Sequence, residues 1–301
     1  MRTFDEIVIE AKKVPVCKIA VAVAEDEHVL DAIVEAKKRG IAEAVLVGSK
    51  AKIRAVADKM EIDLTPFEIV DEPDARLAAL KAVKLVSSGK AQAVMKGLVA
   101  TADMLRAVLD KEVGLRAGKT ILSHVAIAEI PGFDRLIIIT DAAMNVTPDL
   151  SQKVQIIQNA VRVAHSIDID CPKVACLAAV EVVNSDMQAC LDAAALAKMA
   201  ERGQIKGCLI DGPLALDNAV SLEAASHKGI ESPVAGQADI LVVPELVSGN
   251  VLYKSITYFA KGSIAGIIVG AKAPIILTSR ADSAEAKLHS IALAVMAAQK
   301  K

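Results

Sequence analysis

The feature that most constrains this chain is a repeating rhythm: a short apolar run, a turn, a helix-length amphipathic segment, then another apolar run. KIAVAVA at 18–24 reads as a strand. The segment 26–39 that follows sets Val29, Leu30, Ile33, Val34 and Ala36 on one helical stripe, and Gly40 ends it. EAVLVG, FEIV and AQAVM take the strand role at 43–48, 67–70 and 91–95, and RLIIIT (135–140), KVACLA, GCLID, DILVV, AGIIVG and PIILT take it later. Such alternation specifies βαβ units with right-handed crossovers, and therefore a mostly parallel sheet. About ten strands are many for one compact sheet, so the 301 residues are expected to form two α/β domains. No linker rich in Pro, Gly or Ser marks a boundary.

Composition narrows the function classes. The 53% hydrophobic content is mostly Ala, Val, Ile and Leu, with four Phe, two Tyr and no Trp. That mixture builds β-branched strands under small-residue helices and offers few platforms for nucleobase stacking. Lys and Arg total 35 against 37 for Asp and Glu, so no chain-wide field draws nucleic acid or an anionic membrane. Any anion must be held by local cations or by helix N-termini. No apolar stretch approaches the ~18 residues of a spanning helix. The opening MRTFDEIVIEAKK carries acids inside its apolar pattern and reads as an amphipathic helix, not a signal peptide, which sets the expectation of a cytoplasmic protein. Cys17, Cys171, Cys176, Cys190 and Cys208 are odd in number and unpatterned, so they read as free thiols and imply no metal site.

In open α/β sheets ligands gather at the carboxyl ends of strands, which directs attention to five segments. In MKGLVATADMLRAVLDKEVGLRAG (95–118), Lys96 and Gly97 follow a strand, Thr101 is placed to cap a helix, and Arg106 and Arg116 add cations. Ser88-Gly89-Lys90 lacks the leading glycine of a phosphate-cradling loop. Asp141 and Asn145 lie just past RLIIIT, while His124 falls in an apolar alternation that suits a core histidine. Asp211 follows GCLI and opens an Asp-Gly-Pro turn. Gly249 and Asn250 stand at the start of a helix carrying Tyr253 and Tyr258. Last come Thr278, Ser279 and Arg280 after PIIL, then a helix beginning near Asp282, where Asp282 and Glu285 fit a D-x-x-E cap. A hydroxyl and a guanidinium at a strand end form an oxyanion or phosphate clamp.

Taken in this order, these segments resemble the phosphate acetyltransferase and phosphate butyryltransferase family, from about residue 18 onward. MKGLVATADMLRAVLDKEVGLR and IPGFDRLIIITDAAMN are more similar to the butyryl branch; GNVLYK and LTSRADS are shared by both branches. The resemblance implies two α/β domains with mostly parallel sheets and an interdomain cleft, related to the isocitrate and isopropylmalate dehydrogenases. It implies a first domain of residues 1–138 completed by 272–301, and a second of 139–271. The implied reaction is butyryl-CoA plus phosphate in exchange with butyryl phosphate plus CoA, by direct transfer in a ternary complex. Coenzyme A is then a substrate, no cofactor is needed, and a homo-oligomer is expected.

The family's catalytic Ser-Arg pair falls on Ser279 and Arg280, with Lys96 and Arg116 as further phosphate contacts. Gly97, Thr101, Asp141, Asn145, Asp211, Gly249 and Asn250 are the remaining candidates for phosphate or CoA binding. One departure stands out: the acetyl branch has an aspartate, read as the thiol's base, where this chain has Ala286. Glu285, Asp211 and Asp141 are the alternatives, and the base stays open. Competing readings are plain acetyl transfer, a non-catalytic acyl-CoA-binding protein, and a β-decarboxylating dehydrogenase. The last lacks both an aspartate cluster for a metal and a G-x-G-x-x-G turn.

Overall fold

The computed structural model describes residues 1–278 and 282–299 of the chain. They form two compact units: Phe4–Thr120 with the described residues from Ala265 on, and Met1–Thr3 with Ile121–Ile264.

The first unit opens with α1 (Phe4–Ala11), β1 (Cys17–Ala22), α2 (Glu27–Lys38), β2 (Ala42–Gly48), α3 (Lys50–Lys59), β3 (Glu68–Asp71), α4 (Ala75–Ser87), β4 (Ala93–Lys96) and α5 (Thr101–Val108). The second contains β5 (Ser123–Glu129), β6 (Ile137–Thr140), α6 (Leu150–Ser166), β7 (Lys173–Leu177), α7 (Gln188–Glu201), β8 (Leu209–Leu214), α8 (Leu216–Val220), α9 (Leu222–His227), β9 (Ile240–Val242) and α10 (Leu246–Tyr258). Most of β10 (Ser263–Val269), together with β11 (Ile275–Ile276) and α11 (Ala284–Gln299), returns to the first unit.

In the first unit the strands run in the order β3-β2-β1-β4-β11-β10. All neighbours are parallel except β10 and β11. The second unit orders its strands β5-β6-β9-β7-β8, with only β5 and β6 antiparallel. The mostly parallel α/β expectation therefore holds in each unit. β4 and β6 are buried at every residue, which is why both read as unbroken apolar runs. Ile19, Ile138 and Ile139 are fully buried, each worth about 2–3 kcal/mol of transfer free energy.

Local signals fix the helices. Asp26 caps α2, its Oδ1 accepting from the Val29 N–H at 2.9 Å. Val29, Leu30, Ala32, Ile33 and Ala36 form the buried stripe, and Gly40 takes the left-handed φ of +70° past its end. A reciprocal capping box of Asp149 and Gln152 starts α6. α11 is buried from Lys287 through Met296 on all its faces. It packs along α2 and α1, where His289 stacks on Phe4 at 4.4 Å.

One strand departs from the sequence expectation. SHVAIAE, with Ser and His inside it, forms β5, and its Ser123 and His124 are as buried as its aliphatic residues.

Candidate active site

In the first unit β1, β4 and β11 are adjacent and parallel, so the segments leaving their carboxyl ends share one edge. Ala22 pairs with Lys96, and Ile276 pairs with Met95. The Lys96-Gly97 turn therefore lies between the end of β1 and the segment that begins Leu277-Thr278. The Gly97 N–H donates to Ala22 O at 2.8 Å and the Leu98 N–H to Val23 O at 2.8 Å, while Val23 itself sits at a φ of +57°. A β-carbon on Gly97 would stand 2.2 Å from Val23 O, so this crossing requires glycine.

Lys96 is buried, and its Nζ donates to the carbonyls of Gly97 and Val99 at 3.2 Å each. The ammonium thus shapes the turn and leaves its positive charge at the edge. Thr278 is buried, and its Oγ1 has no hydrogen-bond partner among the described residues. Ser279 and Arg280 lie outside the described residues, so their roles rest on sequence.

Two capping expectations are corrected here. Thr101 is exposed and is the first residue of α5; Ala100, with extended dihedrals and no side-chain acceptor, is its N-cap. The first-turn amides of α5 therefore lack a side-chain cap. At α11 the capping side chain is Ser283, whose Oγ accepts from the Ala286 N–H at 3.2 Å, and not Asp282. Glu285 is exposed in the first turn. Arg116 is exposed, bridges Ala271 in strand fashion and makes no ion pair among the described residues, whereas Arg106 pairs with Asp103.

The second unit assembles its own group. Asp141 is 2% exposed, and its carboxylate accepts from the N–H groups of Ala143 and Met144 at 3.0 Å, Asn145 at 3.2 Å, and Asn145 Nδ2 at 2.6 Å. Asn145 Nδ2 also donates to Leu122 O at 2.9 Å. Gly249 and Asn250 do not open α10. Glu245 is its N-cap, and Gly249 lies one turn inside. There a β-carbon on Gly249 would come within 2.7 Å of Val243 Cγ2 and 3.0 Å of Asp141 O, so glycine lets the helix seat on the Asp141 turn. Asp211 does not follow its strand but lies within β8, its Oδ1 accepting from the Gly212 N–H at 2.8 Å. β9 and β7 separate β8 from β6, about 14 Å at ~4.8 Å per strand, so Asp211 stands apart from the Asp141 group. His124 is buried edge-on to Tyr253 at 6.0 Å, as a core histidine.

Burial pushes the Cys17 and Cys176 thiols up to about 12 and the Cys208 thiol up to about 11. None of these three is poised as a thiolate acyl acceptor. Among the described residues no cluster of His, Cys, Asp and Glu could hold a metal ion. Nor is any helix among them long and apolar enough to cross a membrane.

The profile of the phosphate acetyl/butaryl transferase family matches residues 3–79 and 72–295. The chain belongs to that family. It is 57% identical over 297 residues to a phosphate butyryltransferase of Clostridium beijerinckii, covering 99% of this chain and 98% of the relative. Its identity to a phosphate acetyltransferase of Thermotoga maritima is 46% over 279 residues, covering 93% and 94%. Among solved structures, a branched-chain phosphotransacylase from Enterococcus faecalis V583 superposes with a TM-score of 0.83 at 33% identity, covering 95% of this chain and 100% of that one.

Membership makes the chain a transferase. Sequence reasoning passed over Lys287, whose Nζ donates to the Asp282 carbonyl at 2.6 Å. In AEAKLHS it has the look of a solvated helix lysine, yet it is 2% exposed.

Proposed function

We propose that this protein catalyses the reversible transfer of an acyl group between coenzyme A and inorganic phosphate, with butyryl preferred over acetyl. The observation that carries the reading is a match along nearly the whole chain that is closer to the butyryltransferase than to the acetyltransferase.

In the direction of acyl-CoA synthesis, the CoA thiolate attacks the carbonyl carbon of the acyl phosphate. A sulfur–carbon bond forms, the carbon–oxygen bond to phosphate breaks, and phosphate leaves with the electron pair. Arg280 holds the phosphoryl oxygens bidentately and Ser279 donates to the charge developing on the carbonyl or the leaving oxygen. Lys96 supplies fixed positive charge beside them, and Arg116 is a further phosphate contact. The high thiol pKa values of Cys17, Cys176 and Cys208 favour direct transfer over a thioester on any of these three residues. A coenzyme A thiol near its ordinary pKa of ~8.5 ionises readily beside cations. Asp141 is not the proton acceptor in this reading, since four donors already fill its carboxylate.

The test is thiol release from acetyl-, butyryl- and isobutyryl-CoA by the purified protein, with and without phosphate. Phosphate-dependent release, fastest with the four-carbon substrates, is expected. Release without phosphate would make the protein a hydrolase. Tight CoA binding with no release would favour the non-catalytic reading that the alanine at 286 raises.

A further inference from the structure

The acyl-transfer reading makes no use of a concave surface elsewhere in the first unit. α3, β3 and the turn between them enclose a groove of about 560 Å3, within the ~300–1,000 Å3 of ordinary small-molecule sites. β2 and β1 stand between β3 and β4, so the groove is about 14 Å, at ~4.8 Å per strand, from the β4 edge.

α3 carries four cations, and they divide by direction. Lys52 and Lys59 do not line the groove, and each has a carboxylate: Lys52 pairs with Glu25 at 3.6 Å and Lys59 with Glu27 at 2.6 Å. Lys50 and Arg54 line it one turn apart, and neither makes an ion pair among the described residues. Asp58 stands one turn beyond Arg54 on the same face, spaced for an i,i+4 pair, yet no ion pair joins them.

The floor between is apolar. Phe67 and Ile69 share one face by the two-residue alternation of extended chain, and Ile62 and Leu64 close the side. All four are half-buried, so each leaves apolar surface open to water. The second acid of the lining, Asp63, is turned onto its own loop. Its Oδ1 accepts from the Thr65 N–H at 2.9 Å and its Oδ2 from the Thr65 hydroxyl at 2.7 Å.

These groups set the chemistry of an occupant. A lysine and an arginine side by side hold an oxyanion, the guanidinium bidentately. The floor takes hydrocarbon, and Asp58 repels a second negative group at the far end. We propose that the α3–β3 groove is a binding site for a single-headed amphipathic anion, a carboxylate or phosphate monoester carried on an apolar body. Its head meets Lys50 and Arg54, and its body lies on Ile62, Leu64, Phe67 and Ile69. The inference is independent of the acyl-transfer reading.

Octanoate, octyl phosphate and octanedioate, titrated calorimetrically into the full chain, test it. Octanoate or octyl phosphate should bind saturably at one site per chain, and the tighter of the two tells whether the head is a carboxylate or a phosphate ester. Octanedioate should bind at least about tenfold more weakly than octanoate, because its second carboxylate meets Asp58, and Asp58→Asn should narrow that gap to about threefold. Lys50→Ala/Arg54→Ala changes two exposed side chains. It should keep the melting temperature and weaken binding of the monoanion at least about tenfold. Lys52→Ala, on the same helix but outside the groove, should bind within about twofold of wild type. No saturable binding of either monoanion overturns the inference. Wild-type affinity in the double variant overturns it too, because the anion then sits elsewhere, and octanedioate binding as tightly as octanoate overturns the single-headed class.

Discussion

Each unit gathers polar residues at the carboxyl ends of its strands, but the two sets are in opposite conditions. In the second unit two such groups are satisfied from within. Asp141 is filled by four donors, and Lys153 and Asp192 form a buried pair at 2.6 Å, with Gln188 on the other carboxylate oxygen at 2.8 Å. In the first unit the edge is less complete. The N-cap of α5 offers no side-chain acceptor, and Thr278 Oγ1 has no partner among the described residues. Buried polar groups are normally paired, so a saturated edge is architecture and an unsaturated one is where an anionic ligand completes the bonding. In the proposed function the phosphate belongs to the β1–β4–β11 edge, and the Asp141 turn has a structural task.

The largest effect that would sharpen this contrast is at Arg280. Arg280→Ala is expected to lower kcat/KM for butyryl phosphate about a thousandfold, or ~4 kcal/mol of transition-state stabilisation, with the melting temperature unchanged. Near-wild-type turnover would remove the phosphate from this edge. Asp141→Ala should behave in the opposite way. It removes the acceptor of three part-buried amides, so a stability loss of about 2 kcal/mol is expected in denaturant titration. Turnover per folded molecule should remain within a few-fold of wild type. If activity vanishes while stability holds, the Asp141 turn is chemical and the contrast between the two edges collapses.

The sequence made the architecture legible because strands buried on both faces leave unbroken apolar runs, and because Asp26 and Gly40 punctuate α2 with side chains of known preference. β5 escaped since it opens on the polar Ser123 and His124, although both are buried. Cap positions were misread wherever the main chain decides them. Thr101 has the preferred hydroxyl, but Ala100 has the extended dihedrals; Gly249 looked like a helix start, but packing against Asp141 O is what it serves. Asp141 illustrates the deeper limit. A strand-end aspartate looks the same in sequence whether it faces substrate or is filled by Ala143 and Met144 amides, because main-chain donors leave no mark in the letters. Lys287 was hidden for a related reason: its burial follows from the helices that surround α11 and not from its neighbours in sequence. Ser279 and Arg280 were singled out by their place after PIIL and given their roles by family resemblance.

The smallest effect concerns Glu245, and it tests the same division at a helix start. Its carboxylate caps α10, accepting from the Val247 and Ser248 amides at 2.7 Å each. Burial raises the Glu245 pKa, but those two N–H groups and the Ser248 hydroxyl lower it by more, leaving it below the ordinary 4.5. A depressed folded-state pKa means that the cap contributes its full stability above the unfolded value and loses it as pH falls through the folded one. Glu245→Ala should therefore cost about 1 kcal/mol at pH 7, measured as a shift in denaturant midpoint. The gap between variant and wild type should narrow progressively below about pH 4.5 as the wild-type carboxylate takes up its proton. Butyryl transfer at pH 7 should be unaffected, because α10 begins with its own side-chain acceptor and its first amides are taken. α5 has no such acceptor, so the two helix starts differ by a single capping side chain. A Glu245→Ala variant that lost turnover without losing stability would show that the capped end of α10 also serves the anion.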